Sequence, residues 1–157
     1  MNIAIKLGGF VFKERLEPTV LKSFAAVLRQ LHEKGHRLVV VAGGGGLSSA
    51  EDFKQLEELA NVLKGAVGAT RIPCEQGWVS SSIQIGQTGK IVTPDLYIAV
   101  AISGALQHIA GCLGSKYIVT INTDPESNML KVSNFGVVGD YKVALPALIA
   151  KCKELLK

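Results

Sequence analysis

The sequence has 157 residues, a length typical of one structural domain with a continuous hydrophobic core. Hydrophobic residues make up 48% and charged residues 19%, which excludes a disordered or coiled-coil chain. The formal net charge is +4, but the lysines and arginines are scattered, so we predict no nucleic-acid interface. A mildly basic surface can still attract phosphates.

The three cysteines, Cys74, Cys112 and Cys152, are odd in number and far apart, which argues against a disulfide framework and a metal site. No apolar run reaches the roughly 18 residues of a membrane span, and the amino terminus has a strand pattern rather than a signal-peptide pattern. We therefore expect a cytoplasmic protein with reduced thiols and no membrane contact.

The chain opens with a predicted strand and helix. Apolar residues at 3–7 indicate a short buried strand that ends at Gly8-Gly9. Apolar residues at three- and four-residue spacing over 20–31 then indicate an amphipathic helix. Gly35 is expected to supply the left-handed residue that ends this helix.

A second strand and helix follow. The β-branched run over 37–42 is typical of a parallel strand buried on both faces, and Gly43 to Gly46 end it. Ser49 and Asp52 are predicted to form a capping box for the next helix, which is expected to end at Gly65.

The rest of the chain continues the alternation. Residues 71–87 are rich in Ser and Gly and are expected to be irregular, and 104–111 indicate a short helix. Asp140 precedes a long closing helix, in which Pro146 is tolerated only in the first turn. Further strands are predicted at 66–70, 96–102, 117–121 and 135–138. The sequence thus predicts one α/β domain over 1–157: a three-layer, doubly wound, mainly parallel Rossmann-like sheet with helices on both faces.

The stretch from Gly86 to Lys90 is a polar loop framed by glycines. A phosphate-binding P-loop is excluded, because Gln84 and Ile91 stand where that motif needs Gly and Ser or Thr. Two interpretations remain: an ordinary polar turn, or a loop whose N–H groups and Thr88 hydroxyl face a ligand.

The stretch from Ser103 to His108 starts where a strand ends and a helix begins, a position that favours phosphate. Ser103 is expected to cap the helix and Gly104 to allow close approach of a ligand. His108 is equally well explained as a structural histidine with its hydrogen bonds satisfied or as a ligand contact.

Other polar residues also follow predicted strands. Asn122 is partly explained by an Asx turn, and Asp140 by helix capping. Arg71 has no evident sequence-local partner and is either a solvated surface arginine or a ligand contact. The four-glycine run does not satisfy the dinucleotide fingerprint, because Ser48 occupies its last position. The carboxyl ends of parallel strands meet at one edge, so these residues together predict a ligand crevice there.

From about Gly44 onward, the chain resembles the FAD-binding domain of the electron transfer flavoprotein alpha subunit. The stretches 84–92, 96–100, 102–111 and 121–125 carry the resemblance, in the order and spacing of that family. It implies a binding and electron-carrying module for FAD rather than a complete enzyme. It also implies a beta-subunit partner, which is absent here, and an exposed face that allows self-association.

The resemblance also implies roles for individual residues. Arg71 would pack over the isoalloxazine, Thr88 would lie near flavin N5, and His108 would lie near the pyrimidine edge. Residues 103–107 would line the pyrophosphate, and Asn122 with Asp140-Tyr141 the adenosine end. The implied cofactor-binding residues are Thr70, Arg71, Ile85, Gly86, Gln87, Thr88, Ser103, Gly104, Ala105, Leu106, Gln107, His108, Asn122, Asp140 and Tyr141.

One departure from the family bears on affinity. The family has Gly-Gly-Arg-Gly in its first glycine turn, whereas Gly45 stands at the arginine position here. One cofactor-phosphate contact is therefore missing, and we expect weakened or lost flavin binding. The loop 79–82 also lacks the proline and the acidic residue usual in the family.

Residues 1–45 resemble a different family, the opening β-α-β segment of the amino-acid-kinase fold, closest to archaeal uridylate kinases. Lys6 and Gly8-Gly9 match its phosphate-binding positions, but Phe10 replaces a Ser or Thr and the nucleotide-binding second half is missing. We therefore expect an engineered chimera joined near residue 45, with 46–157 as the flavoprotein-like segment. The alternatives are a recombined scaffold without a ligand and residual nucleotide-phosphate binding.

Overall fold

The computed structural model describes residues 34–35 and 37–156. The predicted strand at 3–7, the helix at 20–31 and the kinase-like Lys6 and Gly8-Gly9 lie outside these residues. Gly35 has a φ of 69°, as expected for a residue that ends a helix.

Five parallel strands form one sheet in this part of the chain, as the buried β-branched runs predict. The spatial order is β2-β1-β3-β4-β5, and the register pairs Val40 with Val67 on one side and with Ile98 on the other. The strands are β1 Leu38–Ala42, β2 Ala66–Ala69, β3 Leu96–Val100, β4 Tyr117–Asn122 and β5 Phe135–Val138.

Helices cover both faces of the sheet, which confirms the predicted three-layer α/β fold. The helices are α1 Asp52–Val62, α2 Arg71–Glu75, α3 Leu106–Ile109, α4 Asn128–Lys131 and α5 Tyr141–Leu155, with a short 3₁₀ helix at Ser81–Ile83. The strand residues alternate between two hydrophobic clusters. Val40 and Ile98 belong to the cluster shared with α1 and α5, and Val41 and Tyr97 to the cluster shared with α3 and α4.

The ends of α1 differ from the prediction. The predicted capping box forms in half: the Asp52 carboxylate accepts from the backbone N–H groups of Ser49 (3.2 Å) and also of Ser48 (2.8 Å), but the N-cap is Glu51 and not Ser49. At the other end Lys64, with a φ of 53°, takes the left-handed conformation instead of a glycine. Gly65 N–H then donates to the Ala60 carbonyl at 2.8 Å, which closes a Schellman motif.

Residues 71–87 are more regular than expected, since α2 and the 3₁₀ helix lie within them. The strand expected to reach residue 102 ends at Val100, because Ala101 has a φ of 53° and leaves the extended conformation. Pro146 lies inside α5 rather than in its first turn. The helix begins at Tyr141 directly after its cap, so the expectation for Pro146 is wrong, and the proline removes one helical hydrogen bond.

Among the residues that the structure describes, no helix is long and apolar enough to cross a membrane. The same residues contain no group of three or more His, Cys, Asp or Glu side chains that could hold a metal ion.

Candidate functional site

The strand order creates a natural ligand crevice at the edge of the sheet where the strands end, here called the carboxyl edge. The chain leaves β1 toward β2 on one side and later crosses to β3 on the other. The loops that leave β1 and β3 therefore diverge, which opens a space between them. Gly43 to Gly46 follow β1, and Ala101 to Gly104 follow β3.

The two loops pack closely at this point. Gly43 N–H donates to the Val100 carbonyl at 3.1 Å, and a Cβ on Gly43 would lie only 2.9 Å from the Ala101 carbonyl oxygen. The glycine turn is therefore needed for the approach of the two loops as well as for any ligand.

A cavity of about 370 Å³ opens at this crevice. It extends from the glycine turn after β1 along the carboxyl ends of β3, β4 and β5 to the start of α5, so five elements of the fold contribute to it. Its lining residues are Gly45, Gly46, Ala101, Ser103, Ile121, Asn122, Thr123, Asp124, Gly139, Asp140, Tyr141 and Lys142.

Asn122 and Asp140 have structural roles in the wall of this cavity, as the turn and capping interpretations predict. Asn122 is buried, donates from Nδ2 to the Ile102 carbonyl (2.8 Å) and accepts at Oδ1 from the Asp124 N–H (2.9 Å). Asp140 caps α5, since its Oδ1 accepts from the Lys142 N–H at 2.9 Å. Both side chains thus fix the shape of the cavity.

Tyr141 and Lys142 bring charge and a buried hydroxyl to the same wall. Burial raises the pKa of Tyr141 to about 12, and its hydrogen bond to the Asp52 carboxylate adds to that rise. The Lys142 ammonium lies 6.0 Å from the centre of the Tyr141 ring. Lys142 is the one cationic side chain among the residues that line the cavity.

The polar loop from Gly86 to Lys90 lies beside α3, at a second part of the carboxyl edge. Gln87 N–H donates to the Gln107 carbonyl at 2.7 Å. Gly86 has a φ of 148°, and a Cβ there would lie 3.0 Å from the Gln107 carbonyl oxygen, so only glycine fits without strain. The exposed Thr88 hydroxyl accepts from Gln84 Nε2 at 3.0 Å.

His108 is buried, with 6% of its surface exposed. Its Nε2 lies 2.9 Å from the Tyr97 hydroxyl and its Nδ1 lies 3.0 Å from the Ile85 carbonyl oxygen. Burial lowers the pKa of His108 below 6.5, although the hydrogen bond to Ile85 opposes that shift. His108 thus has the satisfied hydrogen bonds that its structural interpretation predicts, and a contact of His108 with a ligand stays a prediction.

Ser103 does not cap α3, which corrects the prediction. The N-cap is Ala105, because Gly104 with a φ of 85° separates Ser103 from the helix. The Ser103 carbonyl instead accepts from the Met129 N–H at 3.3 Å, and its exposed hydroxyl makes no hydrogen bond within the described part of the chain.

Arg71 and Thr70 lie at the carboxyl end of β2. The prediction that Arg71 lacks a local partner is wrong, since its Nε donates to Glu75 Oε1 at 2.6 Å once α2 forms. The Arg71 side chain is 70% exposed. Thr70 N–H donates to the Ala42 carbonyl at 2.9 Å, and its side chain does not cap α2.

The structure thus divides the predicted site residues into groups. Ser103, Asn122, Asp140 and Tyr141 share the cavity, and the stretch Ile85 to Thr88 contacts Gln107 and His108. A β-bridge between Ala69 and Gln84 connects the loop of this second group to β2, the strand that precedes Thr70 and Arg71. Ala105, the N-cap of α3, and Leu106, its first residue, are both exposed, with Leu106 at 77%.

Sequence reasoning missed several residues of the site, including Tyr97, Ala101 and Lys142. Ala101 and Lys142 line the cavity, and Tyr97 hydrogen-bonds His108 from inside the core. Lys142 carried a signal, because it follows an expected helix cap at a strand end. No sequence pattern pointed to Tyr97 or Ala101, since both lie in an apolar run.

Comparisons with known proteins bear on the identity of this fold. The sequence profile of the electron transfer flavoprotein FAD-binding domain matches residues 35–113. The electron transfer flavoprotein subunit alpha of Bacillus subtilis is 52% identical over 117 residues, which cover 74% of this chain and 36% of that protein. The mitochondrial subunit alpha of Dictyostelium discoideum is 54% identical over 116 residues, 74% of this chain and 33% of that protein.

A third relative matches nearly the whole chain. The subunit alpha of Clostridium acetobutylicum is 42% identical over 152 residues, which cover 97% of this chain and 44% of that protein. The chain therefore spans between a third and a half of the length of these relatives. Both this alignment and the profile match cross residue 45, so neither supports the expected junction or a kinase-derived segment. The chain belongs to the family of electron transfer flavoprotein FAD-binding domains.

Proposed function

We propose that this chain binds FAD along the carboxyl edge of its sheet and acts as an electron-carrying module. The observation that supports this most is the cavity at the β1/β3 divergence, which contains four of the residues that the flavoprotein resemblance assigns to FAD. Such a crevice is where open α/β sheets bind nucleotides. Bound FAD would supply the redox chemistry, and the protein would supply position and charge.

The lining of the cavity fits the nucleotide half of FAD. A Cβ on Gly139 would meet nothing within 4 Å, so the wall is open there. The Ser103 hydroxyl is free to donate, and the Lys142 ammonium brings a positive charge to the wall, where it also interacts electrostatically with the Asp52 carboxylate. Asn122 and Asp140-Tyr141 would frame the adenosine end, and the stretch from Ser103 to Gln107 would lie along the pyrophosphate.

The flavin half would lie toward the loop beside α3. Arg71 keeps guanidinium donors beyond its Nε contact to Glu75, and the loop exposes the Thr88 hydroxyl. Donors at the N5 and pyrimidine positions stabilise negative charge on reduced flavin and so raise its reduction potential. This chain's part in electron transfer is therefore electrostatic.

We further propose that FAD binds weakly. Gly45 lines the cavity but brings no side chain there, and the cation that an arginine would add is missing. Lys142 is the remaining cation in the lining, and a partly solvated lysine replaces a forked guanidinium poorly.

A second subunit is the proposed partner, because the relatives are named as alpha subunits. Three apolar side chains near α3 are well exposed and could meet such a partner or a second copy of this chain. They are Ile91 at 72%, Leu106 at 77% and Leu113 at 57%.

A flavin titration tests the proposal. FAD is added to the purified chain, and quenching of flavin fluorescence is measured together with the salt dependence of binding. Lys142→Gln should weaken binding about 3- to 10-fold, since a charged hydrogen bond to phosphate contributes about 1 kcal/mol or more.

Lys116→Gln is the matched control for this titration. Lys116 also lies over a tyrosine ring, at 5.7 Å from the centre of Tyr117, but it precedes β4 and so lies at the opposite edge of the sheet. This variant should bind FAD as the wild type does. Absence of FAD binding at millimolar concentration, or equal losses in both variants, would refute the proposed site.

A further inference from the structure

A chain of buried polar groups connects the centre of the sheet to the loop from Gly86 to Lys90. Tyr97 lies on β3 with none of its surface exposed, and its hydroxyl contacts His108 Nε2 at 2.9 Å. His108 Nδ1 contacts the Ile85 carbonyl oxygen at 3.0 Å. Ile85 immediately precedes the loop, so the contacts run from the core to the part of the carboxyl edge proposed to meet the flavin.

The chemistry of these atoms fixes where each proton lies. A backbone carbonyl can only accept, so Nδ1 of His108 must carry the proton that it shares with Ile85. In a neutral imidazole Nε2 is then an acceptor, and the Tyr97 hydroxyl must donate to it.

We propose that Tyr97 is a positioning residue for the flavin site: through His108 it holds the Ile85 carbonyl and thereby fixes the loop from Gly86 to Lys90 against α3. This inference rests on the proposed FAD function. Both ring nitrogens of His108 are engaged inside the protein.

Backbone hydrogen bonds hold the loop on either side of the contact between His108 and the Ile85 carbonyl. Ile85 N–H donates to the Ala69 carbonyl at 2.9 Å, and Gln87 N–H to the Gln107 carbonyl at 2.7 Å. The His108 contact occupies the Ile85 carbonyl between these two anchors. Without it, a buried carbonyl would lose its partner, and the loop would be free to rotate toward water.

The first test uses two substitutions of His108 that keep one contact each. In His108→Asn the amide nitrogen replaces Nδ1 and can still donate to Ile85, whereas in His108→Gln it replaces Nε2 and reaches only Tyr97. Amide hydrogen exchange at Gln87 and Lys90 is the readout. We expect His108→Gln, which loses the donor to Ile85, to exchange about tenfold faster or more, and His108→Asn, which keeps that donor but loses the support of Tyr97, to exchange about threefold faster. Equal exchange in the two variants would overturn the proposal.

The second test addresses Tyr97 itself. Tyr97→Phe removes the donor to Nε2, and Tyr117→Phe removes a hydroxyl from the neighbouring strand as the matched control. Tyr97→Phe should speed exchange of the loop amides about threefold, as His108→Asn does, while amides of β3 and β4 keep their protection, and Tyr117→Phe should change neither. Loop protection unchanged in Tyr97→Phe would contradict the positioning role.

Imidazole ¹⁵N shifts of the wild-type protein provide a measurement that needs no variant. They should show His108 as the neutral Nδ1–H tautomer, and an Nε2–H tautomer would overturn the inference even if Tyr97→Phe failed to fold. All three measurements are made without flavin. A loop that loosens as expected in a protein that binds no FAD would therefore refute the proposed function alone.

Discussion

The glycine at position 45 provides the sharpest test of the proposed flavin site. Gly45→Arg would place a guanidinium at the wall of the cavity where the family carries an arginine. A Cβ on Gly45 would lie 3.0 Å from the Ala101 carbonyl oxygen, so that carbonyl must move by a few tenths of an ångström. The φ of Gly45 is not positive, and the cost of the substitution should stay below about 1 kcal/mol.

The expected gain exceeds this cost. A hydrogen bond from guanidinium to phosphate contributes about 1.5–3 kcal/mol. The net gain is then about 0.5–3 kcal/mol, which corresponds to roughly 2- to 160-fold tighter binding of FAD.

Flavin fluorescence titration of three proteins measures this effect. Gly45→Ala carries the same Cβ without the charge, so it reports the steric cost alone and should bind FAD no better than the wild type. Gly45→Arg should bind more tightly than both, with a steeper dependence on salt. If Gly45→Arg and Gly45→Ala bind alike, then no cofactor phosphate approaches position 45, and the proposed orientation of FAD is wrong.

Three further predictions concern stability and are measured by urea denaturation. Lys64→Gly should raise the free energy of unfolding by about 0.5–1 kcal/mol, because Lys64 has a φ of 53° at the end of α1; no gain would mean that this residue is not left-handed. Gly104→Ala should lower it by about 2–4 kcal/mol, since the new methyl would overlap the Met129 nitrogen at a φ of 85°; a loss below 1 kcal/mol would contradict that contact. The wild type should lose stability as pH falls below 6.5, because burial lowers the pKa of His108 and the unfolded chain therefore binds the proton first. His108→Asn should remove this dependence of the free energy of unfolding on pH. If the dependence is unchanged in the variant, it belongs to another group.

The fold was predictable because burial on both faces leaves a simple signal. The runs that contain Val40, Ile98 and Val119 are mostly apolar and rich in β-branched residues, and each became a strand of the parallel sheet. Helix ends were less predictable, since several polar residues compete to cap them. Ser49 and Asp52 matched a capping box, and the Asp52 carboxylate does accept from the Ser49 N–H. It also accepts from the Ser48 N–H, however, and the helix begins later than the box predicts.

The position of the site was predictable from topology, but its contacts were not. Polar residues at strand ends indicated the carboxyl edge, and the cavity lies there. The pairing of His108 with Tyr97 and Ile85 joins residues 11 and 23 positions apart. No local pattern encodes such a pair. Arg71 was misjudged for a related reason, because its partner Glu75 becomes a neighbour only when residues 71–75 form a helix.

Some polar side chains around the cavity are hydrogen-bonded to the protein, and others are free. Asn122 uses both ends of its amide on the protein backbone, whereas the Ser103 hydroxyl is exposed and has no partner in the described part of the chain. Asn122 should therefore shape the site, and Ser103 should contact the ligand directly.

Alanine substitutions separate these roles. Asn122→Ala leaves the Ile102 carbonyl without its donor, so it should cost about 1–3 kcal/mol of stability and weaken FAD binding as well. Ser103→Ala should change stability by less than about 0.5 kcal/mol while it weakens FAD binding about 3- to 10-fold. Urea denaturation and flavin titration of the same preparations measure both quantities. If Ser103→Ala left affinity unchanged, the cofactor would have to cross the sheet edge away from the β3–α3 turn, and the free hydroxyl would be an ordinary surface group.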